Sequence, residues 1–371
     1  MTQNEYTEAC LNVVYLAACA VKEEPPNADR VAGMDLANLF TAAQQHLLTG
    51  IVAIALERAG VKDDAFAQAK GKAIRKVMLF DAERTAVLDA FEEAGIWYIP
   101  LKGAILKDLY PKIGMRQMAD NDILFDVSRD RDVRAIMERL GYQTERFDMS
   151  NHDIYHKPPV LNFEMHRCLF GAGHERQLCT YYTDVKFRLI KDEGNAFGYH
   201  FSADDFYIYL IAHEFKHYSG GGTGLRSLLD TYVYLTKKGD ALNWAYIAEE
   251  LDKLGLADYE PKNRSLALHL FSGEELTGED REMLEYILSS GTYGTTKHSV
   301  ENAVAKHGKI GYVFTRAFLP YHSMCTLYPI LKKLPFLLPF CWVHRWIDAL
   351  IHKRKKVAYQ WKTAMKVGKK T

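Results

Sequence analysis

The strand-forming residues of this chain are concentrated in one central segment, 96–170, while the sequence on both sides of it has helical spacing. Runs rich in Ile, Val, Tyr and Phe lie in this segment, and Gly and Pro residues separate them. The segment therefore predicts an α/β unit between helical blocks. For the whole chain we predict an α+β protein, since strands and helices are segregated along the sequence.

The expected elements fall into three groups. N-terminal helices are predicted at 6–22, 36–60 and 64–95, the last of them ended by Gly95. The central segment is expected to contain helices at 104–110 and 129–140, and strands at 96–101, 122–127, 142–146 and 160–166. A helix begins at Ser202, and further helices are predicted at 225–238, 244–254, 260–270 and 280–290.

These changes in pattern divide the chain of 371 residues into four segments. They are an N-terminal helical segment at 1–95, an α/β core at 96–200, a C-terminal helical domain at 201–310, and a proline-interrupted helical segment with a basic tail at 311–371. Hydrophobic residues make up 48% of the chain and charged residues 25%. This is the composition of an ordinary globular protein that buries a full core.

The charge of the chain is balanced overall but uneven along its length. There are 47 basic and 47 acidic residues, yet residues 353–371 contain seven Lys, one Arg and no acid. A tail of this kind suits contact with RNA phosphates or with a membrane surface, and the tail also contains Tyr359 and Trp361 for stacking. The simpler interpretation is a solvated basic helix end.

The cysteines and apolar runs indicate a cytoplasmic protein. No two cysteines form a C-x-x-C pair, so no zinc site is expected, and their scatter is typical of reduced thiols. The N-terminus lacks the pattern of a signal peptide. No window reaches the roughly 20 apolar residues of a membrane span. The apolar run 334–343 contains two prolines and suits either a core-docking segment or a peripheral membrane contact.

The acidic pair Asp120 and Asp122 carries the main chemical signal. Side chains two residues apart in a strand face the same side, so both carboxylates would project together while Asn121 turns away. Two such carboxylates repel each other unless a cation lies between them. Mg²⁺ prefers oxygen ligands and keeps positions open for phosphate oxygens. The apolar run that follows Asp122 would anchor the pair in a core.

The context of the pair strengthens this interpretation. A Lys102-Gly103 turn precedes it, and Arg116 lies four residues before Asp120. A third acid, Glu164, lies in a strand-like run and shares a strand face with His166.

Taken together, these motifs resemble the uncharacterised nucleotidyltransferases of the DNA polymerase beta superfamily. More loosely, the chain is similar to abortive-infection toxin nucleotidyltransferases. The resemblance covers residues from about 34 to 345. It rests on the runs Leu101-Lys102-Gly103-Ala104, Tyr110-Pro111, Arg116-x-x-x-Asp120-x-Asp122, Phe163-Glu164-x-His166, His213-x-x-x-His217 and Gly224-Leu225-Arg226-Ser227-Leu228-Leu229-Asp230.

The resemblance implies a small polymerase-beta-like mixed sheet that holds three acids, Asp120, Asp122 and Glu164. These acids would bind one or two Mg²⁺ ions, and Glu164 would also help deprotonate an acceptor hydroxyl. The expected reaction moves a nucleoside monophosphate from a nucleoside triphosphate to the acceptor and releases pyrophosphate. The acceptor is left open among a small molecule, a protein and an RNA.

The turn after the first strand departs from the superfamily pattern, which has Gly-Gly or Gly-Ser there. In this chain the pair is Lys102-Gly103. Gly103 still lets the backbone approach phosphate, and Lys102 and Arg116 would add positive charge for nucleotide binding. The distance along the chain from Gly103 to Asp120 is also somewhat long for the superfamily.

Each of these residues has a structural alternative. Lys102 would be a solvated turn lysine, Glu164 a surface acid, and His166 a half-buried histidine. Arg116 would pair with Asp120.

The helical residues after position 210 add cleft candidates. Arg226 and Asp230 are spaced as a helix ion pair but could instead line the cleft, as could Lys216. His213, Glu214 and His217 form an H-E-x-x-x-H run, one residue longer than the metalloprotease motif, so helix packing is favoured.

Four hypotheses fit these sequence features, and the fourth is membrane-surface association through residues 334–356. The first is an active nucleotidyltransferase, and the second is a non-catalytic nucleotide-binding or regulatory protein with the same fold. The third is a toxin-like enzyme that modifies transfer RNA. The acid triad favours an active enzyme, because three clustered acids are unfavourable unless a metal binds them. The glycine cluster at 220–224 lacks the P-loop lysine spacing, so a Walker-type ATPase is not supported.

Overall fold

A computed structural model describes residues 1–171, 176–291 and 294–367. Helices dominate, and a five-stranded sheet and a two-stranded sheet lie in the middle of the chain. This confirms the predicted α+β class, with a mixed sheet embedded between helical segments. The division into four segments stays a prediction.

The N-terminal block is helical, as predicted, with two differences, the first of which is a short unpredicted helix at Ala28–Ala32. The region predicted as a single helix at 36–60 is two helices, because Leu47 adopts a positive φ of 56° and breaks the run. The long helix ends before Gly95, as expected from the sequence. The helices of this block are α1 (Gln3–Val21), α2 (Ala28–Ala32), α3 (Leu36–Gln45), α4 (Thr49–Arg58) and α5 (Asp64–Ala94).

The central block contains the larger sheet. Its elements are β1 (Tyr98–Pro100), α6 (Gly103–Leu106), β2 (Asn121–Phe125), α7 (Asp130–Arg139), β3 (Gln143–Arg146), β4 (His152–Lys157) and β5 (Leu161–His166). The strand order is β1-β2-β5-β4-β3. Strands β2 and β5 run parallel, and the other neighbours are antiparallel. The two central strands of the acid motifs therefore lie side by side.

Three strands lie outside the sequence prediction. Strand β4 is largely polar and reads as a loop in isolation, yet it pairs along its whole length with β5. Strands β6 (Leu189–Lys191) and β7 (Tyr199–Phe201) form a short antiparallel pair. A single bridge from Tyr98 to Gly198 connects this pair to β1.

The two faces of the larger sheet meet different parts of the protein. Ile123 and Phe125 of β2 pack with Phe80 of α5 and Val133 of α7 in one core. Leu124, on the opposite face, packs into the larger core of the N- and C-terminal helices. Because side chains alternate along a strand, Asp122 shares the face of Leu124. Asp122 therefore lies on the sheet face that packs against the N- and C-terminal helices.

The remaining helices follow the second sheet or lie just before it. They are α8 (Arg176–Tyr181), α9 (Ala203–Gly220), α10 (Leu225–Lys238), α11 (Trp244–Lys253), α12 (Tyr259–Ser272), α13 (Gly278–Ser290), α14 (Thr296–Ala317), α15 (Tyr321–Leu327), α16 (Leu338–His352) and α17 (Arg354–Lys366). A tight turn joins α9 to α10. Gly222 is required there, because its φ is 123° and a Cβ would lie 2.0 Å from the Cβ of Ser290. None of the helices within the described ranges is long and apolar enough to cross a bilayer.

Candidate active site

The acids of the motif come together through strand register. In the parallel pair, Asp122 of β2 lies opposite Glu164 of β5, so both carboxylates project from the same face of the sheet. Asp120 lies just before β2, which begins at Asn121. All three acids line one cavity of about 400 Å³ beneath α9 and α10. The structure thus brings together the three residues that the sequence analysis selected, and their roles stay predictions.

Asp122 is the most tightly held of the three acids. Its Oδ1 accepts hydrogen bonds of 2.7 Å from the Nζ of Lys102 and of 2.7 Å from the Nε2 of His166. Burial by itself would raise the pKa of Asp122, but Lys102 and His166 outweigh burial and hold that pKa below its ordinary value. Asp122 is therefore ionised in the folded protein, and Lys102 is its counter-ion rather than a solvated turn lysine.

The turn that carries Lys102 has an unusual backbone. Lys102 has a φ of 46°, in the left-handed region, and the amide of Leu101 donates to the carbonyl of Asp122 at 2.9 Å. Gly103 follows, and a Cβ there would lie 2.5 Å from the Nη1 of Arg116. This glycine therefore makes room for the Arg116 guanidinium.

Asp120 has the opposite electrostatic character to Asp122. Burial and the nearby charge of Asp122 raise the pKa of Asp120 to about 7. The neighbouring Lys76 donates to the carbonyl of Ala119 at 2.9 Å, and among the described residues no ammonium forms an ion pair with the carboxylate of Asp120. The site therefore holds one firmly ionised carboxylate beside one that is destabilised when charged.

Glu164 is flanked by two imidazoles. Its Oε2 lies 3.8 Å from the Nε2 of His166 and 3.8 Å from the Nε2 of His152 on β4. The three side chains can each offer one ligand atom within 4.8 Å of the others. Burial lowers the pKa of His152 to about 4, so this imidazole is neutral. Sequence reasoning missed His152, since only the pairing of β4 with β5 places it here.

Arg116 has a different partner from the one considered in the sequence analysis. Its Nε and Nη2 donate to the two carboxylate oxygens of Asp230 at 2.8 Å and 2.9 Å. Tyr110 donates to the same carboxylate at 2.7 Å. The alternative pairing of Arg116 with Asp120 and the helix ion pair of Arg226 with Asp230 are therefore wrong. Instead, Arg116, in the loop before β2, forms a buried bidentate pair with Asp230 of α10. This pair satisfies two buried charges at once.

Two cations line the cavity and form no ion pair with any residue that the structure describes. Arg226 donates to the carbonyl of Gln117 at 3.1 Å, and its buried Nε has no partner within the described residues. Lys216 lines the same cavity, and burial together with Lys102 lowers the pKa of Lys216 to about 8. Such cations are available to bind an anion.

All three residues of the H-E-x-x-x-H run of α9 line the cavity, but the contacts of Glu214 differ from those of the two histidines. His213 and His217 lie with their Nε2 atoms 3.2 Å apart and border the cavity. Glu214 is buried and accepts hydrogen bonds from Thr231 at 2.9 Å and from Asn263 at 2.8 Å. Its carboxylate therefore belongs to the helix core, which agrees with the packing interpretation of this motif.

The comparison with known protein families identifies the class of the protein. Residues 32–272 match the model of a family described as uncharacterised nucleotidyltransferase. The chain belongs to this family. The match covers more than half of the chain and contains the whole five-stranded sheet, together with α9 and α10. No curated protein and no solved structure matches the chain. The protein is therefore a nucleotidyltransferase whose relatives leave its substrates open.

The contrast between the two aspartates of this nucleotidyltransferase predicts stability changes of opposite sign. Without metal, Asp120→Asn should raise the melting temperature, because it removes a repulsive charge beside Asp122. Asp122→Asn should lower it, because Lys102 loses its carboxylate partner. The measurement is thermal unfolding of both variants in EDTA. Equal shifts of the same sign would contradict this electrostatic assignment.

The raised pKa of Asp120 also predicts that the stability of the protein depends on pH. The pKa of Asp120 is raised above its unfolded value, so the folded protein holds a proton that the unfolded chain releases. The free energy of unfolding should then fall as pH rises from about 4 to about 7 through this residue. Asp120→Asn should remove that part of the slope.

Proposed function

We propose that this nucleotidyltransferase moves a nucleoside monophosphate from a nucleoside triphosphate to an acceptor hydroxyl. The oxygen of the acceptor forms a bond to the α-phosphorus, the bond to the bridging oxygen breaks, and pyrophosphate leaves. The observation that supports this most is the meeting of Asp120, Asp122 and Glu164 in one cavity with two cations that form no ion pair within the described ranges.

A divalent metal fits the residues of the cavity. Asp120 and Asp122 repel each other, and the pKa of Asp120 is raised for this reason and by burial. Such a pair gains from a cation that binds both carboxylates, and Glu164 would be the third ligand. When bound, the ion would neutralise charge that develops on the phosphate oxygens. His152 and His166 add nitrogen donors near Glu164, which suits Mn²⁺ as well as Mg²⁺.

The chain's own residues supply the remaining steps. Arg226 and Lys216 would bind the triphosphate, because both are cationic and neither is held by an ion pair in the described part of the chain. Glu164 would accept the proton of the acceptor hydroxyl. Burial and the charge of Asp122 raise the pKa of Glu164, which makes it a stronger base than an ordinary carboxylate.

The acceptor would enter from the side of α14. A cavity of about 950 Å³ lies there, and Lys216 lines both this cavity and the one that holds the acids. Phe215 and Tyr218 border it from α9, and Asn302 borders it from α14. This cavity, which shares Lys216 with the cavity of the acids, would accommodate an acceptor of substantial size.

The state of the cysteines bears on the cellular compartment of the protein. All six cysteines are free thiols, and four of them are buried. This suits a reducing compartment, and we place the protein in the cytoplasm.

The direct test is the thermal stability of the purified protein with each of the four ribonucleoside triphosphates. Each is added with Mg²⁺, with Mn²⁺ and with EDTA. A ligand that binds only the folded state raises the melting temperature. We expect at least one triphosphate to do so with metal, and EDTA to cancel the rise. If no triphosphate stabilises the protein and none yields pyrophosphate, the proposal is wrong.

Arg226 gives a sharper prediction about the triphosphate. Arg226→Met should keep most of the packed side-chain volume and weaken triphosphate binding by about tenfold or more, since a guanidinium contact to phosphate is lost. The measurement is a titration of the triphosphate that raised the melting temperature. Arg281→Met is the matched control, because Arg281 is 63% exposed and far along the chain on α13. If both variants bound the triphosphate with equal affinity, Arg226 would not be a triphosphate contact.

A further inference from the structure

The C-terminal helices expose an unusual amount of apolar surface. Of the 26 large hydrophobic side chains that are exposed in the described part of the chain, 16 lie between residues 310 and 361. This region lies outside the family match, which ends at residue 272. An exposed apolar patch of this size on a soluble protein marks an interaction surface.

Helix α16 concentrates part of this surface on one face. Phe340, Val343, Ile347 and Leu350 follow each other at spacings of three and four residues, which places them on one side of the helix. Their exposures are 70%, 47%, 51% and 64%. These four residues, called the apolar stripe below, are thus turned toward solvent.

The opposite face of α16 is tied down by hydrogen bonds to the end of α14 and the loop after it. The indole of Trp342 donates to the carbonyl of Leu319 at 3.0 Å, and that of Trp346 donates to the carbonyl of Ala317 at 2.8 Å. Arg345 donates to the carbonyl of Arg316 at 2.9 Å. Trp342, Arg345 and Trp346 therefore face the end of α14 and the loop after it, which leaves the apolar stripe exposed.

Helix α17 adds positive charge directly after the stripe. Residues 353–366 contain five Lys and one Arg, no acid, and all six cations are exposed. Tyr359 and Trp361 in this helix are 50% and 52% exposed. Aromatic side chains with a polar edge favour the level of lipid headgroups.

We infer that α16 and α17 form a docking surface for an anionic lipid bilayer. The apolar stripe would enter the boundary of headgroups and acyl chains, and the cations of α17 would contact lipid phosphates. Three of the four stripe residues are aliphatic and do not stack on bases, so the stripe argues against RNA as the occupant. The shared positive charge of α17 argues against a second copy of the chain. This inference does not depend on the proposed reaction.

The experiment is co-sedimentation of the full-length protein with vesicles. One set contains phosphatidylcholine alone, and the other contains phosphatidylcholine with phosphatidylglycerol. Two double variants are compared with wild type, Ile347→Glu/Leu350→Glu on the stripe and Lys355→Glu/Lys356→Glu on α17. The matched control is Phe187→Glu/Ile190→Glu, because these residues are 93% and 49% exposed outside the C-terminal helices.

We expect wild type and the control to bind the anionic vesicles, and each C-terminal double variant to bind at least about tenfold more weakly. Circular dichroism checks that the variants fold. Three results would overturn the inference. The first is equal vesicle binding by wild type and the stripe variant. The second is absence of vesicle binding together with a dimer, seen by analytical ultracentrifugation, that the stripe variant loses. The third is absence of vesicle binding together with RNA binding that Lys355→Glu/Lys356→Glu abolishes.

Discussion

The double variant Asp120→Asn/Asp122→Asn should lose all metal-dependent stabilisation by a nucleoside triphosphate. Both carboxylates line the same cavity, and neither asparagine carries the charge that a divalent ion needs. At a ligand concentration of about 100 Kd, the stabilisation lost is about 2.7 kcal/mol. The measurement is the difference in melting temperature between triphosphate with Mg²⁺ and triphosphate with EDTA.

The matched control for this experiment is Asp240→Asn/Asp252→Asn. Both residues are exposed and lie outside the cavity, and the change in net charge is the same. The control should keep the full metal-dependent rise. A rise that survives in the Asp120/Asp122 variant would show that the metal and the triphosphate bind elsewhere, and the site assignment would fail.

The variant Arg116→Met should destabilise the protein by about 3–5 kcal/mol. The side chains of Arg116 and Asp230 are 7% and 6% exposed, so removal of the guanidinium leaves a buried carboxylate without its counter-ion. The hydroxyl of Tyr110 remains on that carboxylate but supplies no charge. The measurement is unfolding by urea, with the slope compared to that of wild type.

Arg134→Met is the control for this loss. Arg134 and Glu138 form an ion pair on α7 in which the side chains are 46% and 48% exposed, so removal should destabilise the protein far less than the loss of Arg116. Arg116→Met/Asp230→Leu should recover part of the lost stability, because no buried charge is left alone. If Arg116→Met kept its stability but lost triphosphate binding, Arg116 would be a nucleotide contact, as the sequence analysis predicts.

Most helices could be predicted because their signals are local. The long helix predicted at 64–95 is α5, Asp64–Ala94, and Asp63 caps it by accepting a hydrogen bond from the amide of Phe66. The helix predicted at 225–238 is α10, with the same bounds. In contrast, the break at Leu47 had no sequence signal, since a positive φ at leucine is uncommon and comes from the surrounding packing.

Strand prediction succeeded for the apolar run of β2 and failed for the polar strand β4. The apolar run after Asp122 predicted β2, since it fills the interior of the sheet. Strand β4 is mostly polar in sequence, and it carries no apolar alternation that separates it from a loop. Its hydrogen bonds with β5 determine its conformation, and only the folded chain supplies that partner.

The sequence by itself determined the helix periodicity, the acid pair Asp120 and Asp122, and the strand that carries Glu164. These depend on neighbours along the chain, and short-range sterics and side-chain alternation are readable without the fold. The tertiary structure alone decided that Arg116 pairs with Asp230, that His152 lies beside Glu164, and that the stripe of α16 faces outward. None of these features can be read from neighbours along the chain. Whether a charge or an apolar face is buried depends on which elements the whole chain brings together.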